Sequence, residues 1–177
     1  HVVVPALAAR LRTTLLHDEH TLSTEFLPTL GHWCFFQSPA PAYLLSEDGH
    51  PQRGCFLHPI PLPRRMWAGG KLEFFAKIPF GATLTRHSTI DSIQAKEGRS
   101  GKLVFVTIRH EFWQEKIKLL AEQQELVFRE AATNSHSDAA GKKTLGVTPP
   151  IELTAPLYSQ TLSGDAVTLF RFSALTF

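Results

Sequence analysis

The densest chemical stretch of the sequence is Pro63-Arg64-Arg65-Met66-Trp67-Ala68-Gly69-Gly70, where two guanidinium groups and an indole precede two residues without side-chain bulk. Guanidinium groups grip phosphates or carboxylates through paired hydrogen bonds, and glycine lets a ligand approach the backbone closely. Arg64, Arg65, Trp67, Gly69 and Gly70 are therefore candidates for binding an acidic ligand. The plainer alternative is the approach to a strand, with Trp67 plugging the core.

Other groupings carry less. His32-x-Cys34 and Cys55-x-x-His58 supply four metal-ligand types, and a tetrahedral zinc site needs four that converge. Their spacings do not match zinc patterns, so Cys34 is expected in an aromatic core and His58 in a loop for unrelated reasons. The adjacent residues of His17-Asp18-Glu19-His20 point in different directions at a helix end, which favours a solvated terminus. The glycines of Glu97-Gly98-Arg99-Ser100-Gly101 have no helix behind them to hold a phosphate and read as a turn between strands. His87, Ser88 and Asp91 are the residue types of a nucleophilic triad, yet neighbours on one strand alternate faces and do not converge by themselves. Arg109 and His110 stand among apolar neighbours and mark a face lined by solvent or by another domain. No metal and no cofactor is expected.

The elements that position these residues follow from periodicity. Leu7, Ala8, Leu11, Leu15 and Leu16 recur at helical spacing after Pro5, which suits a first turn, so Pro5 to Leu16 is an amphipathic helix. Leu27 to Phe36 is aromatic and apolar and reads as a short buried helix, ended by Ser38-Pro39-Ala40-Pro41. Four prolines and two glycines between Ser46 and Pro63 make that segment a long irregular connection. Strands are then expected from Leu72 to Ile78 and from Thr83 to about Ile93. A third carries Val104, Val106, Ile108, His110 and Phe112 on one face. Local propensity favours a helix from Gln114 to Arg129. A three-stranded antiparallel sheet ending at Trp113 is more naturally continued by a hairpin through Leu119 to Phe128, and a strand is expected there. Residues 131–156 read as a linker, and the apolar run from Val167 to Phe177 as the first strand of a second unit. The division is thus 1–130, a linker over 131–156, and 157–177.

With 177 residues and 43% hydrophobic content the chain can bury a substantial core. A net charge of +2 and no basic run beyond the pairs Arg64-Arg65 and Lys142-Lys143 argue against a nucleic-acid partner. No apolar run approaches the roughly 20 residues of a membrane helix. Two cysteines, without a secretory apolar segment, point to a reducing compartment, the cytoplasm or the mitochondrial matrix. The chain opens at His1 without a methionine, and a processed or incomplete N-terminus is expected.

Three strings carry a family resemblance: Leu62 to Phe74, with its Arg64-Arg65-Met66-Trp67-Ala68-Gly69-Gly70 core; Lys96 to Thr107; and Leu169-Phe170-Arg171-Phe172-Ser173-Ala174-Leu175-Thr176-Phe177. They resemble the N-terminal half of the MaoC-like and type 2 hydroxyacyl-thioester dehydratases, mesaconyl-C4-CoA hydratases among them. The resemblance implies an α+β hotdog fold, a curved antiparallel sheet around a central helix, repeated twice in one chain. It implies reversible addition of water to a 2-enoyl thioester of coenzyme A or an acyl carrier protein, and a homodimer of double-hotdog chains. Attack of water on carbon 3 releases a proton, carbon 2 gains one, and the thioester oxygen needs donors for its developing charge. The aspartate–histidine pair that serves this chemistry in the family is expected past Phe177, so no catalytic residue is assigned. The piece at hand is expected to shape the acyl tunnel and not to hydrate enoyl thioesters alone. A non-catalytic thioester-binding hotdog and a hotdog thioesterase are the alternatives.

Overall fold

The computed structural model describes residues 1–15, 25–37, 39–47, 49–98, 101–131, 161 and 163–176. Helix α1 (Pro5–Leu15) is followed by a 3-10 turn at Gly31–Cys34. Four strands come next, β1 (Arg64–Phe74), β2 (Thr85–Gly98), β3 (Gly101–Gln114) and β4 (Ile117–Arg129), and helix α2 (Ala166–Thr176) closes the order. The strands form one antiparallel sheet in the order β1-β4-β3-β2, so β1 and β2 are its edges.

The hairpin continuation proved right, and β4 pairs on both sides, with β3 and with β1. Helix propensity from Gln114 to Arg129 loses because Leu120, Leu126 and Phe128 alternate onto a buried face that the sheet supplies. The first strand starts earlier than expected and ends earlier. Arg64 to Gly70 lies inside β1, where a register shift between Trp67 and Gly69 breaks the period-two pattern. Past Phe74 the chain leaves the sheet. Leu27 N–H bonds to the Ile78 carbonyl at 2.8 Å, and Phe26 bridges Pro79, so Ile78 is buried without belonging to the strand.

The apolar interior has two parts. Ile78, Ala82, Leu84 and Leu119 at one end of the sheet gather Val3, Leu11, Cys34 and Phe35, with Phe172 and Leu175 of α2 against them. Val106, Ile108, Leu126 and Phe128 form the other part, covered by Leu57, Ile60 and Leu62 from the proline-rich loop. Arg53 pins that loop. Its Nη1 donates to the carbonyls of Ile60 (2.7 Å) and Leu62 (2.8 Å), and its guanidinium lies 5.1 Å from the Phe128 ring centre.

The last element corrects the sequence reading: Ala166–Thr176 is a helix, not a strand. Asp165 caps it, its Oδ1 accepting from the Thr168 N–H at 2.9 Å and its Oδ2 from the Thr168 hydroxyl at 3.2 Å. Thr168, Phe172, Leu175 and Thr176 are its half-buried positions, spaced i, i+4, i+7, i+8 as on one helical stripe. The linker expected over 131–156 lies, Ala131 apart, outside the described residues. No helix among the described residues is long and apolar enough to cross a membrane.

Candidate functional site

Alternation along the strands decides which side chains share the inner face, the one that carries the apolar interior. On β4 these are Leu120, Glu122, Gln124, Leu126 and Phe128, and on β3 they are Val104, Val106, Ile108, His110 and Phe112. Ser88, His110, Glu122 and Leu72 lie opposite one another in a single row across the four strands. Three members of that row are polar, in the middle of an apolar face.

The row is completed from above by the 3-10 turn. His32 Nε2 lies 3.1 Å from Glu122 Oε2, and the Trp33 indole N–H donates to Glu122 Oε1 at 3.0 Å. His32 and Glu122 are 3% and 4% exposed, the two buried polar side chains among the described residues. Burial pushes the Glu122 carboxyl up, but the hydrogen bond and charge of His32, with the Trp33 N–H and His110, outweigh it and hold it below the usual carboxylate range. His110 Nδ1 sits 2.7 Å from the Ser88 hydroxyl. Its pKa is pulled down by burial first and by the Arg86 guanidinium second, against the opposing pull of Glu122.

The candidate ligand residues sit on β1 beside this row, and the pleat divides them. Arg65, Trp67 and Gly70 pair with Phe128, Leu126 and Gln124, so they belong to the inner face; Arg64 and Gly69 pair with Arg129 and Glu125 on the outer face. Trp67 is not a core plug. It is 51% exposed, its ring meets Trp33 edge-on at 5.4 Å between centroids, and its N–H donates to the Gly69 carbonyl. Gly70 lies beneath that ring: a Cβ there would fall 3.4 Å from the Trp67 indole and 3.0 Å from the Gln123 carbonyl. Beyond Gly70 the inner face of β1 continues through Leu72 to Phe74. It opens there on a cleft of about 300 Å³ lined by Leu27, His32, Phe74, Phe75, Lys77 and Ile78 among others.

The remaining sequence groupings separate. Cys34 is buried in the apolar end of the interior and Cys55 is exposed, while His32 turns to Glu122. No group of three metal-ligand side chains forms among the described residues. His17-Asp18-Glu19-His20 lies outside them. Of the triad types, Ser88 meets His110 on the neighbouring strand and not His87, and Asp91 pairs with Arg109 at 3.0 Å. Arg109 and His110 thus face opposite ways, the first outward and the second into the polar row. Ser88, His110 and Glu122 do share a row, yet both Glu122 oxygens are occupied by His32 and Trp33, so no relay runs through the three. Glu122 and Trp33 were missed by the sequence reading, and His32 was weighed only as a metal-ligand type. The available signal was a carboxylate alternating in phase with Leu120, Leu126 and Phe128, since a charge on a buried face requires partners.

The sequence model for hydroxyacyl-thioester dehydratase type 2 matches residues 29–177. The chain belongs to that family. Mesaconyl-C(4)-CoA hydratase of Chloroflexus aurantiacus is 40% identical to it over 154 residues, which are 85% of this chain and 51% of that protein. This dehydratase-family chain therefore spans about half the length of the curated relative it matches. In three dimensions it superposes on HtdX of Mycobacterium tuberculosis with a TM-score of 0.50 at 11% identity, over 99% of this chain and 60% of the other. At that identity the likeness concerns the fold, and the α+β hotdog expectation holds.

Proposed function

We propose that this chain is the substrate-shaping hotdog of an acyl-thioester hydratase/dehydratase, which adds water to, or removes it from, a 2-enoyl or 3-hydroxyacyl group on coenzyme A or an acyl carrier protein. The observation that carries the reading is the inner face of β1, where Arg65, Trp67 and Gly70 lead past Leu72 and Phe74 into the cleft. A guanidinium at one end suits a thioester's phosphate-bearing carrier, and the aromatic and aliphatic track suits its acyl group. Arg64 and Gly69, on the other face, support the strand and not the ligand. Family membership and the hydratase named among its relatives support the reaction class.

In this reading the chain binds and orients the acyl thioester and keeps bulk water from it. The proton moves at carbons 2 and 3 fall to an acid/base pair outside the described residues, because the Glu122–His32 pair is internal and committed to its own contacts. The working assembly is proposed to be a homodimer of double-hotdog chains in the cytoplasm or mitochondrial matrix, serving fatty acid metabolism. Both described cysteines being free thiols suits a reducing compartment.

Calorimetric titration of crotonyl-CoA against the chain tests the reading. Saturable binding that weakens about tenfold in Trp67→Ala and in Arg65→Ala, and stays at the wild-type value in Arg64→Ala, is expected. Equal affinity in all four proteins removes the groove from β1. In parallel, loss of enoyl absorbance is followed with crotonyl-CoA and mesaconyl-CoA; residues 1–177 are expected to turn over neither. Release of free thiol without hydration would point instead to a thioesterase.

A further inference from the structure

We propose that Glu122 is a positioning residue that holds two subsites of the acyl groove at once: the Trp33–Trp67 aromatic wall, and the His32 floor of the cleft that takes the distal end of the acyl group. The inference rests on the acyl-thioester reading of the β1 groove.

Glu122 stands on β4, the strand adjacent to β1, and is opposite Leu72, midway between Trp67 and the cleft. Its two oxygens are divided between neighbouring residues of one short turn. Oε2 faces His32 Nε2 at 3.1 Å and Oε1 accepts the Trp33 N–H at 3.0 Å. The turn itself is tightly seated: Gly31 N–H bonds to the Pro28 carbonyl at 2.9 Å, and a Cβ at Gly31 would fall 2.9 Å from the Leu27 side chain. Glu122 thereby fixes what the turn presents to the groove. Trp33 is held edge-on to Trp67 at an interplanar angle of 78°. His32 is held with its ring 5.2 Å from Phe112 and 6.4 Å from Phe74, where it contributes to the cleft beside Leu27, Phe75 and Ile78. Arg86 and His110 on the same face complete its charged surroundings.

The chemistry of the two donors makes the carboxylate hard to replace. The indole N–H only donates, and in the ion pair His32 donates as well, so the acceptor between them must offer two lone-pair oxygens. A glutamine offers one oxygen and one NH₂. Its oxygen can serve Trp33, but its NH₂ then faces His32 and forces that imidazole to present a lone pair or to move. Glu122→Gln therefore keeps volume and shape while disturbing the floor of the cleft, and Trp33→Phe keeps a ring against Trp67 while removing the tether of the wall.

The test uses the whole 1–177 chain, with crotonyl-CoA and octanoyl-CoA as calorimetric probes and near-ultraviolet circular dichroism as a ligand-independent reading of the coupled tryptophans. In Glu122→Gln the affinity is expected to fall about tenfold, the factor expected for one hydrogen bond to a charged group. The ratio of affinities for the two acyl lengths shifts, the near-ultraviolet tryptophan bands flatten, and the far-ultraviolet spectrum is unchanged. Should Glu122→Gln fail to fold, Trp33→Phe carries the test, with the same loss of affinity expected. Wild-type affinity and wild-type length preference in the folded variant overturn the positioning role. A wild-type chain that binds neither thioester overturns the acyl-thioester reading itself, and the groove role of Glu122 falls with it.

Discussion

Two adjacent glycines on β1 should respond oppositely to the same substitution. At Gly70 a methyl group would meet the Gln123 carbonyl at 3.0 Å and the Trp67 ring at 3.4 and 3.5 Å; at Gly69 its nearest neighbour is Glu125 Oε2 at 3.5 Å, an ordinary contact with a flexible side chain. Both positions have ordinary backbone conformations, with neither among the positive-φ glycines. Each alanine therefore gains roughly 0.4–1 kcal/mol by restricting the unfolded chain. Gly69→Ala keeps that gain. Gly70→Ala loses it, because the Gln123 carbonyl belongs to the paired strand and cannot recede from a 3.0 Å contact; the methyl is displaced toward the indole, already in van der Waals contact, and lifts it. Lifting it loosens the Trp67–Gly69 hydrogen bond, at about 0.5–1.5 kcal/mol, and the Trp33–Trp67 contact, at a similar value. The net cost of Gly70→Ala is about 1–2 kcal/mol, or roughly 3–6 °C in Tm for a chain of this size. Differential scanning calorimetry of the two variants reads the difference, and crotonyl-CoA titration reads the wall, with weaker binding expected only for Gly70→Ala. Equal Tm shifts, or a stabilised Gly70→Ala, would refute the placement of Trp67 over Gly70.

Acid is expected to destabilise the fold in two steps. The lowered pKa of His110 gives stability that is complete above the unfolded value of about 6.5 and is lost as pH falls below it. The lowered pKa of Glu122 adds a loss below the ordinary carboxylate value of about 4.3. Urea midpoints measured from pH 8 to pH 3 check this, and a midpoint that rises on acidification contradicts both directions. Arg53→Ala removes a charged donor from the Ile60, Leu62 and Pro63 carbonyls and should cost about 2 kcal/mol, with early protease cutting between residues 51 and 63. In the native chain a thiol reagent should label Cys55 alone, since Cys34 is buried and its thiol is pushed up by that burial; labelling of both before unfolding would place Cys34 elsewhere.

How much of this was legible in the sequence depended on whether the deciding partner was near in sequence. The Val104 to Phe112 alternation and the glycine pair Gly98 and Gly101 are local, and β3 and its pairing with β2 follow from them. β4 was legible only through topology, because its composition favours a helix. β1 was half legible: the register shift between Trp67 and Gly69 hides the first half of the strand inside what looks like a loop. The same shift is why Gly70, and not Gly69, joins Arg65 and Trp67 on the inner face. α2 was misread as a strand because Val167, Leu169, Phe170 and Phe172 are apolar on every side, and the capping role of Asp165 is a subtler signal than four large side chains. The polar row was legible only in part: Ser88 and His110 stood out by residue type, but not what they meet across the sheet. His32 and Glu122 are 90 residues apart, and each alone looks like an ordinary surface or core residue.

The polar row also has a consequence for how this sheet chooses its pairing. β2, β3 and β4 are 13 to 14 residues long and mostly apolar on the inner face, so a shift of β4 by two residues against β3 would keep the burial pattern and most of the hydrogen-bond ladder. Such a slip would put Glu122 opposite Phe112 or Ile108 in place of His110, and would carry it away from the His32 and Trp33 donors. A buried carboxylate stripped of its partners costs several kcal/mol, far more than a misplaced leucine. One acidic side chain thus works as a registration mark on a long hairpin. It makes the slipped pairings expensive without needing to make the native one more stable.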